Sequence, residues 1–260
     1  MTATISKVKG INIASINKFN NALRTSISKI NGVNRTSTLL TGIVHYWKFD
    51  ETTGTTLDDA VGTYDLTAQS GATVNQTGII GKAVHYDGST NGYAEDTSVS
   101  MPTTSGTLSA WFNIDAWVEE GVIFTNGLYA SPISWVCYLR TPVATKVVRF
   151  VFDQDGVWGG TLLILDGTTA LENGRWYQVV VTWERGSVNT AKLYLNGVEE
   201  DSEALSFDPY ASATTIRTGG MTGFNWFHGL IDEIGVWDRA LTPSEVTELY
   251  NKTSGITYPF

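Results

Sequence analysis

The chain has 260 residues, 42% hydrophobic, 17% charged and 12% aromatic, with nine Trp, 26 Gly, one Cys and a formal net charge of −9. So many aromatics and so few charges exclude a chain that is disordered over most of its length, and the lone Cys137 excludes an internal disulfide scaffold. No run approaches the ~18 apolar residues of a membrane span, and the opening MTATISKVKGINIAS lacks an apolar h-region, so membrane insertion and a secretory signal are not expected.

The charge is unevenly spread. Residues 1–41 hold six basic side chains (Lys7, Lys9, Lys18, Arg24, Lys29, Arg35) and no acid; the remainder holds 11 basic and 26 acidic, a net of −15. A cationic arm on an acidic body predicts a boundary near residue 41/42 and different partners for the two parts. The six charges form no basic run and the body repels a duplex, so nucleic acid is not an expected partner. Within the arm, Ile5-Ser6-Lys7-Val8, Ile16-Asn17-Lys18-Phe19 and Ile27-Ser28-Lys29-Ile30 recur every eleven residues. That period fits a right-handed coiled coil. Gly10 and Gly32 inside the repeat, with many poor helix formers, favour short strands turned at Lys9-Gly10, Asn20-Asn21 and Asn31-Gly32. Neither form buries enough surface to stand alone, so the arm is expected to order on a partner or on other copies of the chain, a trimer being favoured.

From Gly42 onward, short apolar or alternating runs are separated by turn clusters. Strands are expected at 43–49, 83–86, 106–114, 121–125, 134–140, 146–153, 161–166, 176–184, 191–196, 214–218 and 229–238. Such spacing, with almost no helical period, predicts an all-β fold, a two-sheet antiparallel β-sandwich or jelly roll. One helix is expected at 242–250, where Thr242 is the N-cap, Pro243 the first helical residue and Glu245 completes a capping box.

The order of motifs adds a resemblance. HYWKFDETTGTTLDDAVGTYDLT, GIIGKAVHYDGSTNGYAE, LSAWFNID, GRWYQVVVTWERGSVNTAKLYLNGVEE and FHGLIDEIGVWDRALTPSEVTELY follow one another over residues 43–252. In this order they resemble the laminin-G-like group of concanavalin A-like jelly rolls. The resemblance implies two stacked antiparallel sheets, frequently a structural calcium, and glycan or protein binding more often than catalysis. The arm phrase Ile-Ser-Lys-Ile-Asn-Gly-Val resembles segments of bacteriophage tail and head-fibre proteins.

Catalysis is weighed because the same fold class houses β-glucan-cleaving enzymes. A retaining glycosidase needs two carboxylates about 5 Å apart, and the Glu-x-Asp-x-x-Glu strand of laminarinase-like enzymes is absent. Glu199, Asp201 and Glu203 read as a solvated edge, and Asp232 and Glu233, if extended, point to opposite faces. His45, His85 and His228 lack zinc-ligand spacing, with His45 and His85 reading as core or flank histidines. Cys137 reads as a small buried hydrophobe. The chain is expected to be a non-enzyme.

For calcium, the implied ligands are Asp50 (with Glu51), Asp87 and Asp232, with Asp58 and Asp59 as alternatives; an Asp87-Gly88 turn and a strand cap at Asp232 are the plainer readings. Sugars need aromatic faces. Trp47, Trp111, Trp176, Trp183 and Trp237 are expected in the core, whereas Trp158, Trp226, Trp117 and Tyr129 lie in loop-like stretches and are the expected ligand contacts. Together these readings predict a virion fibre or decoration protein, assembled in the host cytoplasm, whose arm contacts other virion proteins and whose body binds glycans. A shell-cementing protein contact and an extracellular carbohydrate-binding or hydrolase-related protein are the alternatives.

Overall fold

A computed structural model describes residues 37–128, 132–141 and 145–260, and the backbone of four two-residue segments before them. Those four pair as two antiparallel hairpins: β1 (Lys7–Val8) with β2 (Ile11–Asn12), and β3 (Lys29–Ile30) with β4 (Val33–Asn34). They flank Lys9-Gly10 and Asn31-Gly32, two of the three expected turns; Asn20-Asn21 lies outside the described residues.

The body is a sandwich of two antiparallel sheets. In chain order its strands are β5 (Ile43–Trp47), β6 (Thr56–Leu57), β7 (Leu66–Ala68), β8 (Ala72–Thr77), β9 (Lys82–Asp87), β10 (Ala94–Asp96), β11 (Ser105–Ile114), β12 (Gly121–Gly127), β13 (Ile133–Arg140), β14 (Val147–Asp153) and β15 (Leu162–Asp166). They continue with β16 (Trp176–Glu184), β17 (Thr190–Leu195), β18 (Val198–Ala204), β19 (Ile216–Thr218), β20 (Asn225–Trp226) and β21 (His228–Trp237). Sheet I runs β18-β17-β16-β11-β21-β9-β8, with β5 also on β21; sheet II runs β15-β14-β13-β12-β19-β10-β7-β6, with β20 parallel on β12. Among the described residues no helix is long and apolar enough to cross a membrane.

Alternation places the core. Leu108, Ala110, Phe112 and Ile114 of β11 face Trp135, Cys137, Leu139, Phe150 and Phe152 of β13 and β14 between the sheets. Cys137 is a buried free thiol, and Trp47, Trp111, Trp183 and Trp237 are buried, all as expected; Trp176 is only half-buried, because it stands at the start of its strand.

The outer face of sheet I is covered by the two ends of the body. Helix α1 (Pro243–Tyr250) starts at Thr242 with the predicted capping box. Val246 and Leu249 pack with Leu39, Tyr46, Tyr194 and Trp237, and the tail adds Ile256, Tyr258 and Phe260. Leu39 is fully buried, its carbonyl accepts from Trp237 Nε1 at 2.6 Å, and Arg239 donates to Thr41 O and Thr38 O at 2.8 Å each. Residues 37–41, assigned to the arm by charge, are thus packed on the body. Arg239 also holds Glu245 through two bonds, at 2.7 and 2.9 Å, and Thr38 donates to the same carboxylate.

The edge strand β18 is more than a solvated run. Glu200 accepts from Thr168 N at 2.7 Å and Thr169 N at 2.8 Å, and Asp201 accepts from Asp166 N at 2.8 Å, so two of its acids tie sheet I to sheet II.

Two predictions follow from the clamp. A chain beginning at Ser37 keeps the unfolding free energy of the whole, whereas one beginning at Gly42 loses about 3 kcal/mol in urea unfolding, because Leu39 vacates a buried site and Trp237 Nε1 loses its acceptor. Secondly, the Arg239 guanidinium, with Thr38 and Thr242, pulls the Glu245 carboxyl down to about 2. Its folded pKa being depressed, the contribution is complete above the ordinary carboxylate range and is lost as pH falls from about 4.5 toward 2. Glu245→Gln therefore costs on the order of 2 kcal/mol at pH 7 and flattens that acid limb in melts taken between pH 2 and 5.

Candidate functional site

Three connections meet at one end of the sandwich: residues 88–93 after β9, 115–120 after β11 and 219–227 after β19. Hydrogen bonds join the second and third of these to each other and to the start of β21. Asp115 N donates to His228 O at 3.0 Å, Asn225 N to Glu120 O at 3.1 Å, Asn225 Nδ2 to Glu119 O at 2.6 Å and Phe227 N to Gly219 O at 2.8 Å. Gly219, with φ +89°, is required: a Cβ there would lie 2.2 Å from the Tyr86 ring.

This rim carries aromatics. Trp226 lies against Tyr93 with ring centroids 5.8 Å apart, and the Arg217 guanidinium sits 4.1 Å over the other partner, Tyr93, while donating to Glu95 at 2.6 and 2.9 Å. Phe224, two residues before Trp226, meets Trp158 edge-on at 4.7 Å and Tyr138 at 5.1 Å. The 221–226 segment thus brings Trp158 and Trp226, distant in sequence, onto one surface of sheet II. Trp117 packs against the main core under Lys146 Nζ at 5.1 Å. All three tryptophans are half-buried, and Tyr129 lies outside the described residues. Sequence reasoning missed Tyr93, Arg217 and Glu95; the Gly92-Tyr93-Ala94-Glu95 end of the 78–95 motif was the available signal. An open groove of about 270 Å³ between β15 and β18 is lined by Thr161, Leu162, Ile164, Glu203, Ser206 and Phe207, and offers no Trp or Tyr face.

The expected metal ligands divide into two places. Asp232 and Glu233 sit on a bulge of β21, where the register against β11 slips between Ser109 and Trp111 and Glu233 takes φ +51°. A regular strand would have sent them to opposite faces; the bulge leaves both on the outer face of sheet I, beneath the tail. Asp232 is fully buried, with Oδ2 accepting from Ile79 N at 2.9 Å and Ile80 N at 3.2 Å. Glu233 accepts from Tyr46 OH, and Asp50, exposed, accepts from Lys82 N at 2.8 Å. Asp232 Oδ1 and Glu233 Oε1 are buried without a hydrogen-bond partner. Burial, then the neighbouring Glu233 charge, raises the Asp232 carboxyl well above the carboxylate range; burial, with Asp50 adding to it, raises Glu233 to about 8. Two buried, unpartnered carboxylate oxygens, with the Asp50 charge acting on both groups, are the kind of donor a hard cation takes. Being covered by the tail, the pair does not present itself to a substrate as a glycosidase pair does.

Asp87 does not join them. It lies at the far end of β9, exposed, where Oδ1 accepts from Ser89 N at 2.9 Å in the Asp-Gly turn. Asp58 is exposed, and Glu51 accepts from its N–H at 2.9 Å. Asp59 is consumed by His45 Nδ1 at 2.8 Å and by three backbone N–H groups, so His45 is the satisfied core histidine expected. His85 is different: it is half-exposed on the outer face and sits 2.9 Å from Asp115 and near His228, contrary to the reading of scattered histidines without ligand geometry. The three residues come from β9, from the residue just after β11 and from β21, which no local spacing reveals.

Comparison with known proteins places this geometry. Domain 4 of AbnA, a GH43 extracellular arabinanase from Geobacillus stearothermophilus, solved in complex with arabinotriose, is similar at TM-score 0.58 and 20% identity, covering 79% of this chain and 97% of that one. The binding domain of Paraclostridial Mosquitocidal Protein 1 is similar at 0.61 and 16%, covering 81% and 52%, and the botulinum neurotoxin type G receptor binding domain at 0.60 and 12%, covering 81% and 51%. The chain thus spans about half the length of these two toxin domains. No curated protein sequence matches it. The model of the concanavalin A-like lectin/glucanases superfamily in its laminin-G form matches residues 87–247, more than half of the chain, and to that family the protein belongs.

Proposed function

We propose that the protein is a non-catalytic carbohydrate-binding domain, held in a larger assembly by its basic arm and displayed in several copies as a virion fibre or decoration component. The observation that carries the binding reading is the rim: a Trp226–Tyr93 face flanked by the Arg217–Glu95 pair, stacking area beside fixed polar groups. The similarity to a domain solved with arabinotriose supports glycan over other ligands. The arm reading rests on its charge, opposite to the body's, and on its two repeat hairpins. Display in several copies makes weak individual sugar sites effective through avidity.

The test is a glycan array probed with the multivalently presented full chain. Trp226→Ala and Trp158→Ala are expected to lower binding about 10-fold or more, and Val188→Ala, exposed at the opposite end, to leave it unchanged. Undiminished binding in both Trp variants refutes the rim as the site; no binding by the folded protein transfers the role to protein–protein contact.

The same proposal gives calcium a structural place on Asp50, Asp232 and Glu233, where it would neutralise carboxylates that otherwise repel. Melting at pH 7 is expected to rise by about 5 °C from chelator to saturating calcium, and Asp232→Asn to abolish the difference.

A further inference from the structure

We propose that His85, Asp115 and His228 bind one divalent transition-metal ion of the zinc class, at a site separate from the oxygen-only cluster on the same strand. One donor atom from each residue lies within 4.8 Å of the others, with His85 Nε2 2.9 Å from Asp115 Oδ2 and the two imidazole rings edge-on at 5.8 Å between centroids. Donors around a tetrahedral zinc with bonds of about 2.0–2.1 Å stand about 3.3 Å apart, so side-chain rotation alone converts this cluster into a ligand set.

The backbone holds the three residues in place. On the β9–β21 ladder His85 pairs with Leu230 and Asp87 with His228, so the histidines are diagonal neighbours on the outer face. Asp115 follows the last residue of β11 and donates its own N–H to the His228 carbonyl at 3.0 Å, while Asn173 Nδ2 holds the Asp115 carbonyl at 3.0 Å. Gly88, with φ +73°, lets the turn rest on His228, since a Cβ there would come 3.1 Å from the His228 Cβ.

Two imidazole nitrogens and one carboxylate favour zinc, cobalt or nickel over calcium and magnesium, which take oxygen ligands. The His85 and Asp115 side chains are 28% and 43% exposed, which admits an ion and leaves coordination positions facing solvent. Three ligands with open positions make this a site able to hold a further donor from a bound ligand.

The experiment uses the untagged full chain. Titration with Zn²⁺ by calorimetry, and with Co²⁺ by its visible absorption, is expected to give one ion per chain that millimolar Ca²⁺ does not displace. His85→Ala and His228→Ala should each weaken it at least ~100-fold, whereas Val188→Ala leaves it unchanged. In the unaltered protein, Zn²⁺ should protect His85 and His228 from diethyl pyrocarbonate, a readout that holds even if a variant folds poorly. Sub-stoichiometric binding by the folded protein, binding retained in both His variants, or unprotected histidines overturns the assignment.

Discussion

Strand β21 must serve two neighbours along one edge. Its first half, His228–Ile231, pairs with β9 and its second half, Ile234–Trp237, with β5, while its other edge runs unbroken beside β11 except at the bulge. The handover falls at Asp232 and Glu233, and the left-handed Glu233 absorbs the extra residue. Because the first strand of the body joins the last one there, the chain ends are brought to the same outer face. The 78–81 turn is then drawn over Asp232 through Ile79 and Ile80, and the tail over Glu233 through Tyr46, which stacks on Tyr258. Two charged side chains in a covered bulge are a poor choice for stability alone: an uncompensated buried charge is costly and shifts its pKa instead. Burial of these two acids is therefore a cost that the packing of the turn and the tail over them must outweigh.

Parts of both outer faces are covered from within the chain. On sheet I the helix and tail occupy the face; on sheet II Met221, Phe224 and Trp158 cap Val136, Tyr138 and Val151. The end built from residues 88–93, 115–120 and 219–227 remains, tied by main-chain bonds to strand ends. Aromatics there are half-buried because their inner edges pack on the sandwich. A ring braced in this way loses little freedom on meeting a ligand, the condition under which small contact areas give useful affinity.

The sandwich was legible because its strands obey a period of two with turn residues between them, and all eleven expected strands recur within a few residues of their expected bounds. Six body strands among the described residues escaped: β6, β7, β10 and β20 run only two or three residues, too short to show a period. Ala72–Thr77 and Val198–Ala204 lie on sheet edges, where one neighbour and much solvent relax the demand for hydrophobicity. Local chemistry was legible too, as with the capping box at Thr242 and Glu245. What could not be read is whatever depends on register between distant strands. The facing of Asp232 and Glu233 was inverted by a bulge for which a Glu at positive φ gives no compositional sign. His85, Asp115 and His228 meet only once β9, β11 and β21 are aligned. Likewise, residues 37–41 share the arm's lack of acids but pack with the body, since Leu39 answers to Trp237 rather than to its neighbours in sequence.

That junction has a mechanical meaning. Any tension on the arm enters the body at Ser37 and is met first by the Leu39–Trp237 and Arg239–Thr38 bonds, then by the Arg239–Glu245 bridge that anchors the helix. Behind these stands the β5–β21 ladder at the middle of sheet I. The load is therefore shared between the start of the body, its central strand and its terminal helix, far from the rim across the length of β21. A pull on the root of the body would thus leave the loops at its other end in their geometry.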